Sequence, residues 1–115
     1  MAAAQLDVII EQGSTFTQLW ELLDIDLVAQ GATVAAKFRT SHAASGTVLS
    51  LTSAGGTLTV VKSGNHTHVT ANVTDEATAV LTAPSNGVYD LEYSIGGAVT
   101  RAVEGSYYVT PEATK

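Results

Sequence analysis

The sequence predicts an all-β fold, an antiparallel β-sandwich of seven or eight short strands with one short helix at about residues 75–82. Three observations carry this. Apolar and polar residues alternate with a period of two over most of the chain, as in half-buried strands. Turn residues punctuate the alternation at Gly13-Ser14, Gly55-Gly56, Ser63-Gly64-Asn65 and Gly96-Gly97, so the strands are short and regularly spaced. Only 14% of residues are charged, and Thr, Ser, Gly, Asn and Gln supply most of the polar surface.

Taken in order, Leu6–Gln12 is an apolar strand stopped by Gly13-Ser14. Thr15–Leu23 has a mixed period, but its β-forming Thr15-Phe16-Thr17 start favours a strand with Phe16, Trp20 and Leu22 on one face. Residues 24–31 connect to Ala32–Thr40, whose inner face is Val34, Ala36 and Phe38 and whose outer face carries Lys37 and Arg39. Val48–Thr52 follows a small-residue loop, with Val48 and either Leu49 or Leu51 inward. Thr57–Lys62 and His66–Val73 alternate in turn, the latter with Val69, Ala71 and Val73 in and His66, His68, Thr70 and Asn72 out.

The helix is expected from Thr74 as N-cap, Asp75 and Glu76 in the first turn, and an Ala-rich continuation ended by Pro84. Ala77, Val80 and Leu81 are expected to pack over one open end of the sandwich. From Gly87 to Val109 a long hairpin turns at Gly96-Gly97. That register sets Ile95 against Ala98, Tyr93 against Thr100 and Leu91 against Ala102, and puts Glu92 opposite Arg101 as a charge pair. It would also send Glu104 inward beside Tyr89, so a bulge at Gly105 is expected to re-aim the strand.

The chain of 115 residues reads as one domain, with short flexible ends at 1–4 and 111–115. It has no cysteine, hence no disulfide and no thiol chemistry. Five basic against eleven acidic residues give a formal charge of −6, which excludes direct phosphate-backbone binding. Lys37 and Arg39 are read as the solvated face of one strand. No secretory n-region precedes the first apolar run, and no stretch has transmembrane length, so a protein made in the cytoplasm with no membrane partner is expected.

No catalytic motif and no cofactor motif stands out. His66 and His68 project from one strand face, and His42 is a third candidate, but an isolated His-x-His is a weak metal signal, so the three are kept as a surface site and no metal is expected. Asp90, Glu92 and Glu104 do not form a pair facing a cleft. There is no Gly-x-Ser-x-Gly elbow, and neither Gly-Gly pair is followed by the Lys and helix of a phosphate loop. Tyr107 and Tyr108 point to opposite faces, so one is free for contact. The candidate interface is therefore Tyr107, Tyr108 and the following Pro111 and Glu112.

The order of motifs resembles a family of small tailed-bacteriophage proteins. The resemblance rests on Gln12-Gly13-Ser14-Thr15-Phe16 with Trp20, Asp26-Leu27 and Thr33–Arg39. It continues through Leu58-Thr59-Val60, Glu76–Leu81, Gly87–Tyr93, Val99-Thr100-Arg101, Val103-Glu104-Gly105 and the ending Val109–Lys115. These are similar to the immunoglobulin-like N-terminal module of upper-baseplate and tail-appendage proteins. The resemblance implies an immunoglobulin-like sandwich and a non-enzymatic structural role in a virion, as a tail, collar or baseplate adaptor docking in many copies on larger virion proteins. A capsid decoration protein is an alternative. A carbohydrate- or host-receptor-binding module using exposed tyrosines and the loops at His42 or His66 is another.

Overall fold

A computed structural model of the chain describes residues 4–41, 43 and 46–112. Among them are nine strands and one helix: β1 (Ala4–Gln5), β2 (Val8–Glu11), β3 (Phe16–Leu22), β4 (Thr33–Arg39), β5 (Leu49–Thr52), β6 (Leu58–Ser63), β7 (His66–Val73), α1 (Asp75–Ala79), β8 (Ser85–Ile95) and β9 (Ala98–Thr110). One sheet has the order β1-β9-β8-β4-β5, with β2 also on β9; the other is β3-β7-β6. The two sheets form a sandwich with immunoglobulin-like strand order, three strands opposing a sheet whose centre is the C-terminal hairpin and β4. The count exceeds eight because the N-terminal strand is broken at Leu6-Asp7, and both pieces run parallel to β9 rather than antiparallel.

The alternation places the core as expected. Phe16, Trp20 and Leu22 of β3, Val34, Ala36 and Phe38 of β4, Val69, Ala71 and Val73 of β7, and Tyr89 and Leu91 of β8 are all buried. Between the sheets, where a disulfide staples many immunoglobulin domains, stand aromatic rings. Tyr89 stacks on Phe38 with centroids 5.1 Å apart and lies 5.9 Å from Trp20, while Tyr107 meets Phe38 edge-on at 5.4 Å. Aromatic packing of this kind adds about 0.5–1.5 kcal/mol per pair beyond area burial. Tyr89 is also a polar link, since Trp20 Nε1 donates to its hydroxyl at 3.2 Å and that hydroxyl donates to the Leu6 carbonyl.

The helix is capped at Thr74, whose side chain accepts from Ala77 N–H at 3.2 Å. It ends at Ala79, short of the expected 82. Ending there leaves Val80 83% exposed, and Thr78 is the residue turned fully inward. Thr78 Oγ1 accepts from Gly13 N–H at 3.1 Å and donates to the Ser14 carbonyl at 2.7 Å, tying α1 to the β2–β3 turn. Val48 is likewise outward, with Leu51 fully buried and Leu49 partly so.

The hairpin follows the expected register from Ile95–Ala98 to Glu92–Arg101, then shifts. The extra residue is Ala102, so Leu91 faces Val103, Tyr89 faces Gly105 and Glu104 stands opposite Asp90. The bulge therefore lies at Ala102 and not at Gly105. Gly105 has a different duty, because a Cβ there would lie 2.1 Å from the Leu6 carbonyl oxygen where the N-terminal segment crosses.

Two contacts fall within the ends expected to be flexible. Ala4 pairs with Val103, and Glu112 N–H donates to Gln12 Oε1 at 3.1 Å. Residues 1–3 and 113–115, on which the rest of that expectation falls, lie outside the described residues.

Candidate interaction surface

The shift at Ala102 decides which tyrosine is available. Beyond it the odd-numbered residues of β9 turn inward, so Val103, Tyr107 and Val109 are buried. Tyr107, expected in a contact surface, is 3% exposed and packs on Phe38. It is a core residue, and it leaves the candidate interface for that reason. Burial pushes its phenol pKa up. The signal was present as the alternation Val103, Tyr107, Val109, which outweighs a turn-based register once a bulge intervenes.

Tyr108 points to the outer face and is 41% exposed. Its neighbour in the parallel register is Ile9, 64% exposed, so β2 and β9 together present a large aliphatic and an aromatic side chain side by side. The strip continues into Pro111 and Glu112, both exposed. Glu112 lies against Gly13, where a Cβ would come within 2.5 Å of its Oε2. Gly13 sits at φ +82°, a conformation that favours glycine, whereas the Glu112 carboxyl is the end of an exposed side chain that can move aside. Ile9 was not singled out from the sequence, because its partner across a parallel pair lies far along the chain.

On the same sheet, Lys37 and Arg39 are half-buried and, with Asp90, Glu92 and Arg101, line a polar hollow of about 160 Å³. Arg101 does not pair with Glu92, which it faces in register. Its guanidinium lies 3.5 Å from Asp90 and 3.4 Å from Glu104. The bulge accounts for this, since it brings Glu104 opposite Asp90 and leaves Arg101 between two carboxylates.

The histidines fall on the other sheet. His66 Nδ1 accepts from Asp24 N–H at 3.0 Å, holding the start of the β3–β4 connection. His68 Nε2 lies 2.8 Å from Glu21 Oε2. Their roles are local contacts, and no group of three potential metal ligands occurs among the described residues. His42 lies outside the described residues. That connection is further pinned by Thr67, whose Oγ1 accepts from Leu27 N–H and donates to the Ile25 carbonyl, and by a Lys62–Asp26 ion pair at 3.1 Å.

No family model matches this chain, and no curated protein matches it. Among solved structures it is similar to the second immunoglobulin domain of the mouse polymeric immunoglobulin receptor. That likeness has 12% identity and a TM-score of 0.40, over 99% of this chain and 100% of that one. The fold assignment stands on the strand order and on the core between this chain's own two sheets.

Proposed function

We propose that the chain is a non-enzymatic structural component of a bacteriophage particle, a tail, collar or baseplate adaptor that docks in multiple copies on larger virion proteins. The order of sequence motifs supports the virion assignment. The observation that carries the docking reading is the exposed Ile9–Tyr108 pair on the outer face of β2 and β9. Two large apolar side chains placed together on a sheet face, leading into an anchored Pro111-Glu112 segment, suit the centre of a contact with a polar rim. Asp90 and Glu104 are engaged by one guanidinium, so the hairpin charges act as scaffold.

The test is mass spectrometry of purified particles after separation of heads from tails. The chain is expected in the tail fraction; recovery with heads favours a decoration protein, and absence from particles overturns the proposal. Ile9→Ser combined with Tyr108→Ser is expected to leave the thermal midpoint almost unchanged and to lower incorporation.

A further inference from the structure

The strands that bound the two sheets are unequally protected. An open edge carries unpaired N–H and C=O groups, and proteins shield such edges by shortness, charge, proline or a bulge. β5 has four residues, the β1–β2 edge is interrupted at Leu6-Asp7, and β6 carries Lys62. β3 is full length, straight and free of proline, and its single charge, Glu21, is engaged by His68 of the neighbouring β7 at 2.8 Å. Its seven residues keep one unbroken register with β7, contain no Lys, Arg or Pro, and leave Leu19 49% exposed. Among the described residues no strand pairs with its other side.

The backbone groups on that open side can be identified. Asn72 N–H donates to the Thr57 carbonyl, so the even residues of β7 direct their groups toward β6 and the odd residues toward β3. Val69, Ala71 and Val73 therefore bond to Trp20, Gln18 and Phe16, their register partners. This leaves the N–H and C=O of Thr17, Leu19 and Glu21 aimed at the open edge. The Leu19 carbonyl accepts from the Gln18 side-chain amide at 2.9 Å, a local substitute for a missing strand.

We infer that this edge is a self-pairing surface: β3 joins β3 of a second copy, antiparallel about a two-fold axis at Leu19. The sequence is complementary to itself in that register. Leu19 meets its own copy, and Thr17 meets Glu21 on either side, so the only charge on the strand faces a hydroxyl and never its like. About six backbone hydrogen bonds would form across the axis, and the two three-stranded sheets would merge into one. The Gln18 amide gives way to the incoming strand. This inference sharpens the multicopy part of the function proposed above and rests on that reading there alone.

Sedimentation equilibrium of the full chain from about 1 μM to about 1 mM tests it. A concentration-dependent monomer–dimer equilibrium is expected. Leu19→Pro removes an open-edge donor that the β7 ladder does not use, and is expected to give a monomer with unchanged circular dichroism. Leu19→Lys sets two ammonium groups against each other at the axis and is expected to raise the dissociation constant about a hundredfold; it carries the test should the proline variant fail to fold. A wild-type monomer throughout the range, or a dimer that Leu19→Lys leaves intact, overturns the inference. A dimer from a chain absent from particles would sink the virion reading alone, and a monomer found in particles this inference alone.

Discussion

Tyr89→Phe is the sharpest test of how the two sheets are joined. The substitution keeps the ring and its stacking on Phe38 and removes one oxygen. That oxygen accepts from Trp20 Nε1 at 3.2 Å and donates to the Leu6 carbonyl. Trp20 is 2% exposed, so its indole N–H loses its partner in a place water does not reach. A net hydrogen bond contributes about 1 kcal/mol, and a stranded buried donor costs about 1–3 kcal/mol. The sum is about 2–4 kcal/mol, a large part of the 5–15 kcal/mol that holds a domain of this size together. Urea unfolding followed by the fluorescence of Trp20, the sole tryptophan, measures it directly. Tyr108→Phe on the outer face is the control and is expected to stay within about 0.5 kcal/mol. A Tyr89→Phe loss no larger than the control's would refute the reasoning. A double-mutant cycle with Trp20→Phe, in which all four proteins are followed by far-UV circular dichroism because the substitution removes the fluorophore, isolates the shared bond, with an expected coupling of about 1 kcal/mol.

Three further outcomes follow. Thr78→Val keeps the shape but strands Gly13 N–H, and is expected to lower stability by about 1–3 kcal/mol in the same urea assay. Gly105→Ala places a methyl group 2.1 Å from the Leu6 carbonyl oxygen, so amide hydrogen exchange is expected to show β1 and β2 released from β9 while β3–β7 protection persists. Burial raises the phenol pKa of Tyr89, with Asp7 adding to the effect and the Trp20 hydrogen bond opposing it, and burial also raises that of Tyr107. Because the folded values lie above the unfolded value of about 10, this stabilisation is present below pH about 10 and is lost as pH rises through the folded values. Stability measured across the alkaline range should fall, and Tyr89→Phe with Tyr107→Phe should flatten the slope.

Much of the sandwich was legible because one face of each strand had to be apolar. Phe16-Trp20-Leu22, Val34-Ala36-Phe38 and Val69-Ala71-Val73 all lie where the alternation puts them. The immunoglobulin-like fold expected from the motifs is the one observed. What escaped depends on contacts between distant parts of the chain. The inserted Ala102 reverses the facing of everything after it, which moved Tyr107 from surface to core and gave Arg101 to Asp90 and Glu104. The helix is shorter than the pattern suggests: Ala77 and Leu81 pack against the core as expected, but Val80 is exposed, and the single turn is tied down by Thr78 on the β2–β3 turn. The Ile9–Tyr108 strip arises from a parallel pairing across 99 residues, for which local pattern carries no signal. Nor does alternation reveal which strand ends a sheet, so the exposed side of β3 appears only in three dimensions.

The parallel alignment of β2 with β9 has a mechanical consequence. Val8 to Glu11 run beside Tyr107 to Thr110 in the same direction, so the chain enters at one end of this ladder and leaves at the other. A force pulling Ala4 and Thr110 apart along the strands loads these bonds in shear, and they share the load instead of parting one after another. Resistance to extension is then set by the rate at which the ladder ruptures, a kinetic property separate from equilibrium stability. The same segment passes over Gly105 with its Leu6 carbonyl bound by Tyr89, so the first strand to feel a pull is latched to the aromatic centre of the protein.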